Sequence, residues 1–263
     1  MPNTYEEFRA LTEAQLVLPS PTPESEFYSF IGRKSGWQPA KYTQSTFKVS
    51  PVNTHVAVQK ALALALALEI PVGEFTLEAS KREFTGEQRW ALLDNSKDEL
   101  VHYEALSNWA SGLSTSLPQE YLDEAQAMCE EFLSNVEHPV LKAGFIELGI
   151  FFPVLSIFRK FGTTSLKLLA SDISRDEASH VLTNWAVIKE QEIAWDLPSL
   201  NKVRREVISW LTEDIKSSKF GADFWLAQSD SLITTRQAEG LKFTKVAQYT
   251  ALFEVDNRSL AQY

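Results

Sequence analysis

The feature that most constrains this chain is a pairing of glutamate and histidine that occurs twice. Glu99 stands three residues before His102, and Glu177 stands three residues before His180. Residues three apart on an α-helix lie on the same face, about one turn apart, so each pair could hold a metal ion from a single helix. Two of the four histidines of the chain occur in this frame. The pattern therefore points to two metal-binding helices.

Each of these pairs has a further glutamate at the same distance upstream. Glu69 precedes Glu99 by thirty positions, and Glu147 precedes Glu177 by thirty positions. Two antiparallel helices joined by a short loop would bring each upstream glutamate level with its pair. Bundles that bind two iron or manganese ions use one glutamate from each of two helices and Glu-x-x-His from each of two others. The repeat thus predicts a site for two metal ions.

The surroundings of the two upstream glutamates support this hypothesis. Glu147 lies in the apolar stretch AGFIELGIFFPVLSIF, and Glu69 directly follows ALALALAL. A buried carboxylate costs on the order of several kcal/mol unless it is paired, hydrogen-bonded or bound to a metal ion. One shared site explains both residues, because four carboxylates and two histidines largely offset two divalent cations.

The residues leave alternatives open. A single Glu-x-x-His is more often an exposed pair on a helix surface. Pro71 and Gly73 follow Glu69 closely and could kink or end that helix. In that case Glu74 or Glu78 would be the first ligand instead.

Most of the chain between about residues 51 and 240 has the composition of successive helices. The alternation in ALALALAL would normally suggest a strand, but alanine and leucine are strong helix formers and neither is β-branched. We therefore predict a helix there that is buried on nearly all sides. Helices are expected at about 51–80, 87–114, 119–135, 139–161, 164–195, 199–219 and 222–240, with Thr85 and either Thr163 or Thr164 as N-caps. Residues 1–50 are expected to form an irregular arm with short helices.

These elements predict an all-α fold: a ferritin-like four-helix bundle with additional helices and a C-terminal tail. We expect one domain over residues 1–240, including the arm, and a tail over residues 241–263. The net charge of −10 and the pI of about 5.0 disfavour nucleic acid and anionic membranes as partners. No signal peptide is recognised, and the apolar runs 61–68 and 144–158 are shorter than the roughly 20 residues of a membrane span.

The single cysteine, Cys129, excludes an intramolecular disulfide, which fits a reducing, cytoplasmic location. It occurs within the helical stretch AQAMCEEFL and is interpreted as a small buried hydrophobic residue. His55 and His138 have no glutamate in the same frame and are interpreted as helix-end or surface residues.

The segment Arg175-Asp-Glu-Ala-Ser-His180 resembles the fourth-helix motif of the small subunits of class I ribonucleotide reductases. The resemblance implies that Asp176 links a metal-site histidine to a tryptophan of an N-terminal Trp-x-Pro segment, here Trp37-Gln-Pro39. It also implies that the tail docks on the large catalytic subunit and carries a relay tyrosine. Tyr249 is the first candidate for this relay, and Tyr263 is the second.

The same resemblance implies that Phe151 and Ile173 line an apolar oxygen pocket. It places the radical tyrosine one turn after the first histidine, where this chain has Leu106, which cannot form a phenoxyl radical. Tyr103 follows His102 directly but points about 100° away around the helix. Family members without this tyrosine can keep the oxidising equivalent on the metal pair. The expected cofactor is therefore two metal ions, Fe/Fe or Mn/Fe.

Three functions are consistent with these residues. The first is the radical-generating small subunit of a ribonucleotide reductase, a homodimer resembling the minimal members carried by phages. It would act in the cytoplasm, which is that of the host if the protein is viral. The second is a stand-alone di-metal oxygenase or oxidase acting on an apolar substrate, which an apolar substrate tunnel would favour. The third is a non-enzymatic helical bundle, either metal-storing or structural.

Overall fold

The computed structural model describes residues 4–34, 36–42, 55–82, 84–113, 115–193, 198–216 and 219–238. These residues form helices and connecting turns without β-strands, so the predicted all-α class is confirmed. In chain order the helices are α1 (Thr4–Leu16), α2 (Glu26–Ile31), α3 (Val56–Ser80), α4 (Gly86–Ala110), α5 (Gln119–Leu133), α6 (Pro139–Ile146), α7 (Phe152–Phe161), α8 (Thr164–Glu190), α9 (Pro198–Thr212) and α10 (Ala222–Ala238). A 3₁₀ turn covers Pro39–Tyr42, and a π-helical turn, Glu147–Phe151, joins α6 to α7.

Four long helical segments make the ferritin-like bundle: α3, α4, the continuous segment α6–π turn–α7, and α8. Helix α3 packs against α4 and against α6 and α7, and α8 packs against the same two neighbours from the opposite corner. Short loops connect α3 to α4 and α7 to α8, so each connected pair is antiparallel. This arrangement brings both Glu-x-x-His helices, α4 and α8, side by side.

Helix α3 contains the ALALALAL segment and is buried as predicted. Residues 61–65 and Leu68 are at most 1% exposed. The helix continues through Pro71 without ending, so Glu69 stays inside it. Pro71 has no N–H for the carbonyl of Ala67, four residues earlier. The thiol of Cys129 on α5 donates to that carbonyl instead, with an S–O distance of 3.3 Å.

The segment α6–π turn–α7 contains a second interior proline, Pro153. The carbonyl four residues earlier belongs to Gly149, within the π turn. Ser229 Oγ on α10 donates to Gly149 O at 2.8 Å, so this carbonyl is also satisfied by a side chain. We predicted one uninterrupted helix here; the π turn was missed. It begins at Glu147, and turns of this kind occur frequently at functional sites.

The two apolar helical segments, Val56–Ser80 and Pro139–Phe161, are 25 and 23 residues long, which is enough to cross a membrane. The apolar runs are shorter than a membrane span, but the helices that contain them are not, so length does not exclude a span as predicted. Burial gives a different reason for their composition: the most apolar window is 67% buried in the first helix and wholly buried in the second. Both are central helices of the bundle, surrounded by other helices.

Several predicted details differ from the structure at the edges of the bundle. The arm begins with a regular helix, α1, which packs on α4 through Leu11 and through Gln15, whose amide donates to Trp90 O. Thr85 and Thr163 are the N-caps, as predicted, and Thr85 forms a capping box with Gln88. Helices α4, α8 and α9 end earlier than predicted, at Ala110, Glu190 and Thr212.

The early end of α8 has a local cause. Glu192 adopts a left-handed conformation with φ of 49°, and the N–H of Ile193 bonds to Ile188 O. This is the hydrogen bond that closes a helix, and it usually needs glycine at the position of Glu192. The sequence has no glycine there and so gave no signal. The predicted end at Trp195 lies outside the described residues.

Candidate metal centre

The structure brings the six residues of the repeated pattern together at the centre of the bundle. Each is at most 1% exposed. Their nitrogen and oxygen atoms form two groups, and within each group one atom from every residue lies within 4.8 Å of the others. The first group is Glu69, Glu99, His102 and Glu177; the second is Glu99, Glu147, Glu177 and His180. Glu99 and Glu177 belong to both groups, so the geometry is that of two adjacent sites sharing two carboxylates.

His102 lies at the centre of the first group. Its Nδ1 atom is 3.4 Å from Glu69 Oε2, 3.3 Å from Glu99 Oε2 and 3.3 Å from Glu177 Oε1. Three carboxylates from three different helices thus face one imidazole nitrogen.

His180 occupies the corresponding place in the second group. Its Nδ1 atom is 2.9 Å from Glu99 Oε1, 3.6 Å from Glu177 Oε2 and 3.8 Å from Glu147 Oε1. Glu99 and Glu177 each turn one oxygen towards His102 and the other towards His180. This is the arrangement expected of carboxylates that bridge two ions, with Glu69 and Glu147 as the terminal carboxylates.

The cluster has the donor atoms for a pair of cations, and these atoms lie at ion-pair distances from one another. Within the described residues, eight buried atoms of these side chains lack a hydrogen-bond partner: Glu69 Oε2, both oxygens of Glu99, Glu147 Oε1, both oxygens of Glu177, and Nδ1 of His102 and of His180. An unsatisfied buried polar group costs about 1–3 kcal/mol, and more when it is charged. Eight such atoms converging on one point fit two divalent ions. Glu74 and Glu78, the alternative first ligands, are exposed.

Burial and mutual charge perturb the cluster strongly. Burial raises the pKa of Glu69 and of Glu147 well above the ordinary value. Burial opposes protonation of His102 and His180, but the surrounding carboxylates outweigh it and raise the pKa of both histidines. Burial also works against ionised Glu99, yet the imidazoles of His180 and His102 hold its pKa below the ordinary value. Protons therefore balance the charge when no cation does, and metal binding would displace them.

Asp176 connects the first histidine to Trp37. Asp176 Oδ2 is 3.3 Å from His102 Nε2 and accepts a hydrogen bond from Trp37 Nε1 at 2.7 Å. The Trp37 ring also stacks on the His102 ring, with 5.9 Å between ring centroids and 4° between planes. Trp37 and Asp176 are more than 130 residues apart in sequence, so the hydrogen bond between them depends entirely on the fold.

Asp98 occupies the corresponding position beside the second histidine, and it is not among the site residues predicted from the sequence. Asp98 Oδ2 is 3.0 Å from His180 Nε2 and 2.6 Å from Lys34 Nζ. A signal was present: Asp98 directly precedes Glu99, as Asp176 directly precedes Glu177. The repeated motif is therefore Asp-Glu-x-x-His.

Asn184, one turn after His180, was also missed. Its Nδ2 atom donates to Glu147 Oε2 at 2.7 Å and so orients the carboxylate of the π turn. The apolar residues singled out beside the ligands, Leu106, Phe151 and Ile173, are all 0% exposed. Tyr249 lies outside the described residues.

An apolar cavity of about 490 Å³ lies between α1, α3 and α4. Leu11, Ile70, Leu77 and Leu100 line it, together with Gly73 and Glu99. The cavity therefore borders on one residue of the cluster, Glu99, which is itself 0% exposed. Helices α3 and α4 approach closely at Gly73, because a Cβ atom added there would lie 3.2 Å from Glu99 Cβ.

The sequence matches no protein-family model and no curated protein. Among solved structures, the fold is similar to a crystal structure described as a "putative class I ribonucleotide reductase" from Bacillus halodurans. The TM-score is 0.56 with 15% sequence identity, and the match covers 81% of this chain and 90% of the other. At this identity the likeness shows a shared fold.

Proposed function

We propose that this chain is the radical-generating small subunit of a ribonucleotide reductase. In this role it supplies an oxidising equivalent to a separate large subunit, which reduces ribonucleotides to deoxyribonucleotides. One observation carries the proposal: the buried cluster with two shared carboxylates is connected through His102 and Asp176 to the ring of Trp37. A metal-storing bundle needs the cluster but has no use for this connection.

The side chains of the cluster hold the metal ions in this proposal. Glu69 and His102 would bind one ion, Glu147 and His180 the other, and Glu99 and Glu177 would bridge them. A bound pair of iron ions, or of manganese and iron, supplies the oxygen and redox chemistry. Asp176 and Asp98 accept hydrogen bonds from the Nε2–H groups, which fixes the tautomer that leaves each Nδ1 free to bind. The buried apolar residues around the cluster exclude water.

Trp37 gives the site a route by which an electron can enter and an oxidising equivalent can leave. Its ring is stacked on that of His102, and its N–H is bonded to Asp176. Oxidising equivalents would pass through Trp37 to a relay tyrosine in the tail, for which Tyr249 remains the candidate. Docking of the tail on the large subunit, a homodimeric state and a cytoplasmic location belong to the same proposal.

The geometry gives less support to a stand-alone oxidase for apolar substrates. Such an enzyme needs a path that brings a substrate atom to the metal pair. Of the six residues of the cluster, only Glu99 lines the apolar cavity between α1, α3 and α4, and Glu99 is 0% exposed. The Trp37 connection would also have no purpose in that enzyme.

The decisive experiment is electron paramagnetic resonance of the loaded protein. The full-length chain is loaded anaerobically with iron, or with manganese plus iron, the metal content is measured, and the sample is exposed to oxygen. We expect about two ions per chain and a long-lived signal from an organic radical or a coupled, oxidised metal pair.

Two variants serve as controls for this experiment. Glu147→Gln removes one ligand and should abolish tight binding of the metal pair. Glu74→Gln changes an exposed glutamate on α3 outside the cluster and should leave the metal content unchanged. Absence of metal uptake by the unmodified chain would refute the site. Full uptake followed by a silent oxidised state, with every metal and oxidant, would refute radical generation and favour the oxidase.

A further inference from the structure

Tyr42, at the end of the 3₁₀ turn, is the most deeply buried tyrosine in the described part of the chain. It is 1% exposed, whereas Tyr5 and Tyr28 are 76% and 52% exposed. Its phenol O–H donates to Asp172 Oδ2 at 2.5 Å. Its ring lies edge-on to Trp37, with 5.6 Å between ring centroids and 83° between planes. The phenol therefore lies between an aromatic ring and a carboxylate.

These contacts extend the path that starts at the metal cluster. The Trp37 ring stacks on His102 on one side and contacts the Tyr42 ring on the other. Three rings thus follow one another from the cluster, with centroid separations of 5.9 and 5.6 Å. The rate of electron transfer falls exponentially with distance. Trp37 and Tyr42 are therefore well placed to exchange an electron.

Asp172 is placed to take the phenolic proton. It is 7% exposed, and the oxygen that accepts from Tyr42 also accepts from Lys41 Nζ at 2.6 Å. Arg175 Nη1 lies 3.8 Å from its other oxygen. Burial, together with the hydrogen bond to Asp172, raises the pKa of Tyr42, so the phenol is protonated at rest. A phenol that loses an electron becomes a strong acid, and a fixed carboxylate at hydrogen-bond distance can accept its proton.

We propose that Tyr42 is a redox-active tyrosine, with Trp37 as its electron acceptor and Asp172 as its proton acceptor. Tyr42 loses one electron through Trp37, and its O–H proton moves to Asp172 Oδ2. A neutral phenoxyl radical and a carboxylic acid remain, and the electron reduces a one-electron oxidant. That oxidant is an oxidised ion of the cluster, a step that rests on the proposed function, or an external oxidant in its absence. The oxidising equivalent then has a buried tyrosine to occupy, although Leu106 replaces the tyrosine expected after His102.

The test uses a local oxidant in the full-length, metal-free protein. Gln38→Cys introduces an exposed thiol next to Trp37, to which a ruthenium polypyridyl photo-oxidant is attached. Cys129 stays unlabelled because it is 1% exposed and burial raises the pKa of its thiol to about 12. A flash in the presence of an electron acceptor creates Ru(III), and the radical is followed by transient absorption and by freeze-quench electron paramagnetic resonance.

We expect an indolyl signal that converts to a phenoxyl signal. Tyr42→Phe should remove the phenoxyl signal, and Asp172→Asn should lower its yield about tenfold or more, because it keeps the phenol but removes the base. Tyr103→Phe, a control on α4 beside His102, should change nothing. If Tyr42→Phe does not fold, Asp172→Asn alone decides.

The phenoxyl signal could also persist in Tyr42→Phe, or keep its full yield in Asp172→Asn. Either result, or an unmodified chain that forms only the indolyl radical, would overturn the assignment. Failure of the proposed function is seen separately. If Tyr42 is oxidised in the metal-free protein but the loaded protein never forms a radical, the proposed function fails and the redox-active tyrosine stands.

Discussion

At the scale of single residues, the aspartates next to the Nε2 atoms of the two histidines have different neighbours. Asp176 shares its oxygen with the neutral indole of Trp37, whereas Asp98 shares its oxygen with the ammonium group of Lys34. A carboxylate beside a fixed positive charge polarises an imidazole less than one beside a neutral ring. The two halves of the repeat therefore form similar candidate metal sites. We expect the metal affinities and redox potentials of these two sites to differ.

Substitution of either aspartate should weaken one metal site more than the other. Asp98→Asn and Asp176→Asn keep an acceptor for the Nε2–H group but remove its charge, and loss of such an outer partner typically costs 10–100-fold in metal affinity. We expect one of the two ions to dissociate about 10–100-fold more readily, as measured by equilibrium dialysis with metal analysis. Asp94→Asn is the control, because Asp94 lies on α4 like Asp98 and also binds Lys34. Equal weakening of both ions would contradict independent outer partners.

His138 gives the chain a testable pH dependence outside the cluster. Its Nδ1 atom caps α6 by accepting from Val140 N, and burial together with Arg82 lowers its pKa from 6.5 to about 4. Between these values the unfolded chain binds more protons than the folded one, so stability falls as the pH falls from about 6.5 towards 4. In His138→Asn, which keeps a capping oxygen, the loss of stability over this window should be smaller. Urea denaturation at several pH values measures the free energy of unfolding of both proteins. If this free energy falls equally with pH in the parent and in His138→Asn, His138 is not the cause of the pH dependence.

At the scale of helices, both inner segments that carry an upstream glutamate contain an interior proline, Pro71 or Pro153. Each proline leaves a carbonyl without its helical N–H, and each carbonyl is bound from a neighbouring helix, Ala67 O by Cys129 and Gly149 O by Ser229. Helices α5 and α10 thus help to set the course of the segments that hold Glu69 and Glu147. The helices outside the bundle consequently contribute to the shape of the cluster.

Removal of the Ser229 hydroxyl tests this role of α10. Ser229 is fully buried, donates to Gly149 O and accepts from Arg204 Nη1. Ser229→Ala should therefore destabilise the protein by about 1–3 kcal/mol. It should also lower the metal affinity of the candidate site that contains Glu147. Ser174→Ala is the matched control, since its hydroxyl bonds to Ala170 O inside the uninterrupted helix α8. Urea denaturation measures the stability of both variants, and metal titration measures their metal affinity. Similar losses in both variants would contradict a specific requirement of the π turn for the Ser229 hydroxyl.

At the scale of the whole molecule, the candidate ligands come from all four segments of the bundle. In the absence of metal, protons balance the charge of the four buried carboxylates, as the raised pKa values of Glu69 and Glu147 and of both histidines indicate. A pair of cations that displaces these protons would bind to all four segments at once and only in the folded state. The stability of the bundle and the occupancy of the centre should therefore be coupled.

Thermal unfolding should reveal this coupling. A metal that binds only the folded state at 100 times its Kd adds about 2.7 kcal/mol to the free energy of unfolding, so loading should raise the Tm clearly. Glu147→Gln should unfold no more easily than the metal-free parent, because it removes a buried carboxylate, and it should lose most of the metal-induced shift. Calorimetry on loaded and chelated samples measures both effects. An equal shift in the variant would exclude Glu147 as a ligand.

The sequence by itself determined the helical class, the helices of the bundle and the residues of the cluster. These follow from local chemistry: alanine and leucine favour helices, capping residues mark their starts, and Glu-x-x-His places two side chains on one face. The equal spacing of Glu69 from Glu99 and of Glu147 from Glu177 then indicated that both halves of the chain contribute to one site. The pairing of Trp37 with Asp176 was anticipated only through the resemblance to a known family, because no local pattern links residues so far apart.

Only the tertiary structure decided what depends on contacts between distant segments. The position of Glu69, rather than Glu74, in the cluster, the place of Glu99 and Glu177 in both groups, and the hydrogen bond of Asp98 all require the packing of α3, α4 and α8. The carbonyl of Gly149 in the π turn accepts a hydrogen bond from a hydroxyl of α10, about 80 residues further along the chain. The contacts of Tyr42 with Trp37 and Asp172 likewise join the arm to α8. Such interactions leave no periodic trace in a sequence, since each partner is fixed by the fold and not by its neighbours in the chain.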